Sequence, residues 1–398
     1  MLGRWRVQNS VFSFRRSVVG ACAIAAALAA CLPTSGVSGA SGSGLPPIRH
    51  VFIIMDENES ATSTFGDPSA DPYLAKTLPS EGAFLPNYFA IGHASNDNYV
   101  AIVSGQPPNV LNQTDCIGYG NFVGLALPGQ VDQGVGCIYP SATQTVGNQL
   151  TAAGLSWKAY EQDMGNVPNR ESAACGHPPV DSIDNTQEAL YGDGYATRHD
   201  PFPYFHSVID NTTYCDDHVV ALGSPAGAMP PRALPGETGL AQDLKSAATT
   251  PNYVWITPNL CMDGHDYPCH NEPSGTSALN DIDRFLETWV PMITSSPAYK
   301  DGGLLIITFD EGSDSDTQSC CNEQPGLSEP LPGETGPGGG RIGTVVLSPY
   351  IKPGTVSTRD YNHYSTLATI ETLFGLPRLG EAKTVSTIFG ADVFTNSH

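Results

Sequence analysis

Three observations predict an α/β protein built on a mostly parallel central sheet sandwiched by helices. First, short apolar runs recur along the chain: "HVFIIM" (50–55), "LSWKAY" (155–160), "NYVWIT" (252–257), "GGLLIITF" (302–309) and "RIGTVVLS" (341–348). Runs this short, β-branched and continuous fit strands buried on both faces. Second, helical patterns lie between them, over 145–153, 278–295 and 365–374, and this alternation is the signature of a sheet covered on both sides. Third, 42 Gly and 33 Pro among 398 residues, with only 15% charged side chains, favour long ordered loops over a helical bundle.

The elements follow in chain order. Arg4, Arg6, Arg15 and Arg16 precede an apolar stretch from Val18 to Leu28 that is short for a bilayer span. Residues 1–30 therefore read as an export signal. "LAAC" (28–31) resembles a bacterial lipoprotein site with Cys31 as the lipidated residue; cleavage nearby to give a secreted protein is the alternative. Residues 31–47 form a Gly/Ser/Pro tether, and 48–398 is the folded domain. Within it, 161–240, rich in Pro, Gly and Asp, reads as a cap-like insertion and 312–340 as a surface loop.

Charge excludes one class of partner. The chain carries −22 (40 acidic, 18 basic), and losing the four signal arginines takes this to about −26. Nucleic acid, which needs a basic footprint, is excluded as a partner. Membrane association is expected only through a lipid anchor, if Cys31 carries one. Without Cys22 and Cys31 eight cysteines remain, an even set that reads as disulfides after export. Proximity suggests 116–137, 175–215 and 261–269; Cys320 and Cys321 form a vicinal bridge or pair elsewhere.

The ends of the strands carry the chemistry. "HVFIIM" runs into Asp56, Glu57 and Asn58, and "GGLLIITF" into Asp310 and Glu311. "NYVWIT" is followed by "PNLCMDGHD", with Asn259, Asp263, His265 and Asp266. In such sheets ligands bind beyond the carboxyl ends of strands. Carboxylates gathered there offer hard oxygen donors suited to a divalent cation. One acidic pair alone is usually loop solubility; pairs at successive strand ends are harder to explain that way. "GHASNDNYVAIVSG" places His93, Ser95, Asn98 and Tyr99 ahead of a helical pattern. Ser95 is either the helix N-cap or a nucleophile sharpened by a cation.

"HVFIIMDENES", "GHASNDNYVAIVSG", "RHDPFPYF", "PNLCMDGHD", "LLIITFDEG" and "NHYSTLATIETLFGLP" together resemble, in order, the motifs of the bacterial phosphoesterase family. That family includes secreted acid phosphatases, among them ones acting on phosphatidylinositol 3-phosphate, and phospholipases C. It is more remotely similar to the alkaline phosphatase superfamily, where a Thr or Ser three residues before an Asn is the nucleophile; Ser95 and Asn98 keep that spacing. The resemblance implies an alkaline-phosphatase-like core with a small disulfide-bearing cap. It implies one divalent metal ion held by Glu57, Asn58, Ser95, Asp310 and Glu311. It implies Ser95, His265 and His363 as catalytic residues and Asn98, His199, His93 and Asn259 as substrate ligands. The expected activity is hydrolysis of phosphomonoesters through a phosphoserine, with imidazolium side chains favouring an acidic optimum. A phospholipase C or phosphodiesterase of the same family is the first alternative, and a non-catalytic surface lipoprotein the second. One departure stands out: Glu59 occupies a place where relatives often carry a basic residue.

Overall fold

The computed structural model describes residues 44–269, 276–321, 323 and 331–396. The export signal, Cys31 and most of the tether lie outside them. Among the described residues no helix is long and apolar enough to cross a membrane.

The core is a sheet of eight strands: β1 (His50–Asp56), β2 (Ala83–Leu85), β3 (Trp157–Glu161), β4 (Val219–Ala221), β5 (Tyr253–Thr257), β6 (Gly303–Phe309), β7 (Thr344–Leu347) and β8 (Thr355–Val356), in the order β8-β2-β7-β6-β1-β5-β3-β4. Every pairing is parallel except those of β7 with β6 and β2. The five apolar runs supply β1, β3, β5, β6 and β7. Three short strands had no such signal, β2 and β4 with three residues each and β8 with two, because neighbours rather than local pattern hold them extended.

All seven residues of β1 and all seven of β6 are buried, so both faces of the sheet are covered. One layer packs α1 (Ser95–Ser104), α2 (Val146–Ala152) and α4 (His363–Phe374) against one another; α3 (Ala278–Ser295) packs instead against the 73–77 turn. The observed helices keep the predicted positions, α2 and α4 shifted by one or two residues at their ends. Capping boxes explain where they start: Thr145 with Asn148, Ser277 with Asn280, and Asn362 with Ser365. Gly105 and Gly375 end α1 and α4 with φ of +72° and +67°, a conformation that favours glycine.

Residues 161–240 leave the sheet after β3 and return to it as β4, with Cys175 bonded to Cys215 on the way. Disulfides also join Cys116 to Cys137, Cys261 to Cys269, and adjacent Cys320 to Cys321.

Register is what positions the site. Ile54 lies level with both Ile256 of β5 and Ile307 of β6, and Asp56 with Phe309. Glu57 and Asp310 therefore emerge side by side, tied by the Asp310 amide donating to the Asp56 carbonyl at 2.9 Å. The loop after β5 closes the third side, its Asp263 carbonyl accepting from the Glu57 amide at 2.9 Å.

Candidate active site

Ser95 is the first residue of α1, and Ala94, whose side chain has no capping group, is the N-cap. The serine hydroxyl instead leaves the helix and donates to Oε2 of Glu57 at 3.0 Å. One turn on, on the same helix face, the Tyr99 hydroxyl donates to Oε1 of Glu57. Glu57 is fully buried, so these two bonds from one helix turn set its orientation.

His199 closes the other side. Its Nδ1 donates to Asp263 Oδ2 at 3.1 Å and lies 3.5 Å from Glu57 Oε1, while its ring stacks on Tyr99 with centroids 5.3 Å apart. One ligand atom from each of Glu57, His199 and Asp263 lies within 4.8 Å of the others. Beside them, Asp310 Oδ1 accepts from the backbone amides of Asn58 at 3.0 Å and Glu311 at 2.6 Å. Asp310 Oδ2 and Asn58 Oδ1 are buried without a partner. Asn58 adopts φ of +58°, in the left-handed region where Asn is the least strained of the side-chain-bearing residues.

Burial pushes the carboxyls of Glu57, Asp263, Asp310 and Glu311 up from their ordinary values. Repulsion adds to this for Glu57, from Asp310 and Asp263, and for Glu311, from Asp310. Carboxylates this crowded need protons or a cation among them. The orphaned oxygens of Asp310 and Asn58, with Glu57 and Glu311 alongside, are a hard oxygen set that fits a divalent cation. Ser95 Oγ adjoins that set. The convergence of Glu57 with His199 and Asp263 offers a second, mixed nitrogen and oxygen set.

The remaining predicted residues divide by what they touch. The Asn98 amide is engaged by the loop: its Oδ1 accepts from Ile91 and Gly92 amides at 2.8 and 3.1 Å. Its Nδ2 donates to the Gly92 and Ala94 carbonyls and, at 3.3 Å, to Glu311 Oε2. Asn259 likewise organises its own loop, donating to Asp163 at 2.6 Å and accepting from the Cys261 and Met262 amides. His93 Nε2 donates to the Asp316 carbonyl at 2.8 Å, tying the Ser95 loop to the 312–340 loop. His363 is fully buried, and its Nε2 donates to the Asp310 carbonyl at 2.7 Å.

Burial lowers the His363 pKa to about 4 and takes His199 well below its ordinary value, with Arg198 and His265 opposing its charge further. Burial therefore disfavours the imidazolium form at both positions. His363 positions Asp310 rather than meeting solvent. Glu59, the departure noted above, turns away to accept from Ser63 at 2.6 Å.

His265 is partly exposed. It borders a cavity of about 330 Å³ also lined by Glu188, Ala189, Asp266 and Tyr267. Its Nδ1 donates to Asp266 Oδ1 at 2.7 Å, and Nη2 of Arg198 donates to its Nε2 at 3.0 Å. Arg198 is 2% exposed, a buried cation beside a largely acidic site. Its Nη1 donates to the Gln187 carbonyl at 2.8 Å.

Sequence reasoning left Tyr99, Arg198 and Asp263 out of the site. Tyr99 had a legible signal, four residues after Ser95 on one helix face, and Asp263 lay in a quoted motif. Arg198 also stood in a quoted motif, but an arginine beside a histidine gives no sign of burial.

A serine hydroxyl held at a helix start against buried carboxylates, at the carboxyl ends of central parallel strands, is the arrangement this α/β fold presents. The chain belongs to the Phosphoesterase family, whose profile matches residues 70–377. Among its relatives is the phosphate-repressible acid phosphatase of Penicillium chrysogenum, 29% identical over 90% of this chain and 66% of that protein. Another is the phosphatidylinositol-3-phosphatase of Mycobacterium tuberculosis, 26% identical over 92% of this chain and 91% of that one. The chain thus spans about two thirds of the fungal relative's length. A solved structure of an alkaline phosphatase superfamily protein from Vibrio parahaemolyticus overlaps with a TM-score of 0.47 at 14% identity, over 83% of this chain and 67% of that one.

Proposed function

We propose that this is an exported, metal-dependent phosphomonoesterase of the acid phosphatase type that works through a phosphoserine on Ser95. The observation that carries the reading is the Ser95 hydroxyl at 3.0 Å from buried Glu57, beside Asp310. Four disulfides among the described residues suit an oxidising compartment, which supports export.

Glu57, Asn58, Ser95, Asp310 and Glu311 would hold one divalent cation. When bound, such an ion supplies Lewis-acid charge stabilisation at the phosphate and favours the ionised serine. The chain's own residues do the rest. Glu57 Oε2 accepts the Ser95 proton as Oγ attacks phosphorus and the bond to the leaving oxygen breaks. The amide-rich start of α1 favours the phosphate's negative charge. Arg198, turning its Nη2 from His265 to a phosphate oxygen, frees His265 Nε2, which takes up a proton from solvent and passes it to the leaving oxygen. Water then cleaves the phosphoserine by the reverse order of proton movements. His363, through the Asp310 carbonyl, and Asn98, through the loop carbonyls and Glu311, keep the constellation in place.

The test compares p-nitrophenyl phosphate with its diester counterpart. Ser95→Ala should remove turnover by at least about a thousandfold while the protein still unfolds cooperatively, and acid-quenched wild type should carry phosphate on Ser95. Faster diester hydrolysis would move the assignment to a phosphodiesterase or phospholipase C. Turnover surviving in Ser95→Ala would remove the serine from the mechanism.

A further inference from the structure

The start of α1 already holds a carboxylate, supplied by the loop that follows the helix. Asp115 Oδ1 accepts from the Asn96 amide at 3.1 Å, and that N–H belongs to the residue directly after Ser95. The first amides of a helix have no partner within it and attract anions; Ala94, the N-cap, brings no capping side chain to them. Asp115 Oδ2 lies 3.9 Å from Arg198 Nε, an ion pair too long for a hydrogen bond. Arg198 Nε is buried without a hydrogen-bond partner, although both other nitrogens of the guanidinium are engaged. Asn96 adds a second such donor: its Oδ1 lies 3.3 Å from Cys116 Sγ, and its Nδ2 is buried and unpartnered. A helix start, a buried guanidinium with a spare N–H and an unsatisfied amide thus lie together beside Ser95, and one carboxylate meets only part of their demand.

A phosphate attacked by Ser95 would use the same donors, since one of its oxygens and Asp115 Oδ1 compete for the Asn96 amide. The Asp115 charge also reaches the carboxylate cluster, where its repulsion contributes to the raised pKa of buried Glu311. Asp115 is the less anchored member of its ion pair. Its side chain is 29% exposed against 2% for Arg198, so rotation of the side chain alone carries the carboxylate to water. The backbone beneath it is held by the Asp115 amide donating to the Asn112 carbonyl at 3.0 Å and by the adjoining Cys116–Cys137 bridge.

We propose that Asp115 is an internal anion: it fills the phosphate cradle of the free enzyme and is displaced by a tetrahedral phosphate, with which it competes for the Asn96 amide and Arg198. A competitor tethered inside the site lowers the affinity of substrate ester and released phosphate alike, which favours product departure over tight binding. The identity of the displacing group rests on the phosphoesterase reading; the occupied cradle does not. A plain helix cap would make the same contact with the Asn96 amide, and the experiment separates the two.

Inorganic phosphate is titrated calorimetrically into the full chain, with magnesium and again with manganese, for wild type, Asp115→Asn, Asp115→Gly and Asp181→Asn. Asp115 has φ of +51°, which Asn and Gly adopt with least strain, so both variants keep the turn. Each should bind phosphate about tenfold more tightly, the weight of one charge-assisted hydrogen bond. The kcat/KM for p-nitrophenyl phosphate should rise by a similar factor through a lower KM. Their melting temperature, lowered by the missing cap, should be restored by phosphate. Asp181→Asn, which removes the same charge from an exposed residue with φ of +62°, should change none of these. An equal gain in Asp181→Asn, phosphate affinity unchanged or weakened in both Asp115 variants, or a melting loss that phosphate leaves in place would each overturn the proposal, the last two by leaving Asp115 a helix cap only. Tighter phosphate binding in the Asp115 variants of a protein that hydrolyses no ester would leave the internal anion standing and refute the phosphoesterase reading alone.

Discussion

Removing divalent cation should invert how the stability of this protein depends on pH. Asp56, Glu57, Asp263, Asp310 and Glu311 are buried within one strand-end cluster, and folding raises the pKa of each, chiefly through burial. Acids of this kind titrate near 4 in the unfolded chain. Between there and their raised folded values, the cation-free folded protein holds protons that the unfolded chain has released. Its stability is therefore fully present below about pH 4 and is lost as pH rises through the folded values. The slope is about 1.4 kcal/mol per pH unit for each extra proton held. A cation competes with those protons, so its contribution grows as pH rises. At a hundred times its dissociation constant it adds about 2.7 kcal/mol, or about 5 °C at roughly 2 °C per kcal/mol for a chain of this size. The assay is thermal unfolding from about pH 5 to about pH 8, with chelator or with magnesium, calcium or manganese. The chelated curve should fall toward high pH and the cation curve should separate upward from it, with Asp310→Asn narrowing the gap. Curves that superimpose near pH 8 with every cation would refute the reasoning that these carboxylates are gathered around an ion.

Three further outcomes follow from single contacts. Tyr99→Phe leaves buried Glu57 with only the Ser95 hydroxyl as a side-chain donor; it should cost about 2 kcal/mol in a urea titration and lower kcat about tenfold. Asn98→Ala removes an amide that makes five hydrogen bonds to the loop and Glu311. Stability and kcat should fall together, by about 2–4 kcal/mol for stability, whereas a rise in KM alone with an unchanged melting point would make Asn98 a substrate ligand. Cys261→Ser with Cys269→Ser opens the bridge around the His265 loop, whose cysteines lie 8 residues apart. It should cost about 2.5 kcal/mol of stability by loop entropy and raise KM, which thermal melts and steady-state kinetics read independently.

Much of the fold was legible because it rests on local pattern. Buried parallel strands advertise themselves as apolar runs, and β1, β3, β5, β6 and β7 all did. Helix starts advertise themselves through caps, as Thr145, Ser277 and Asn362 show. β2, β4 and β8 are two or three residues each, and the return of 219–221 to the sheet edge depends on β3 being there to pair with. At the site, the motifs around Glu57, Ser95, Asp310 and His265 marked segments that the structure brings together. They did not separate residues that face the centre from residues that hold it. Asn98, Asn259 and His363 all stand in motifs, yet each directs its polar atoms at backbone or at loop neighbours.

By itself the sequence determined which residues end the strands, because that follows from periodicity and composition over a few neighbouring positions; it placed Ser95 to Tyr99 ahead of α1, which in fact starts at Ser95 behind Ala94. Only the tertiary structure decided that Glu57 lies between Ser95, Tyr99 and His199, that burial lowers the pKa of His363 and His199, and that Arg198 reaches His265. Those facts depend on register between strands far apart in the chain and on how much water each group loses. Neither quantity is written in any short stretch of residues.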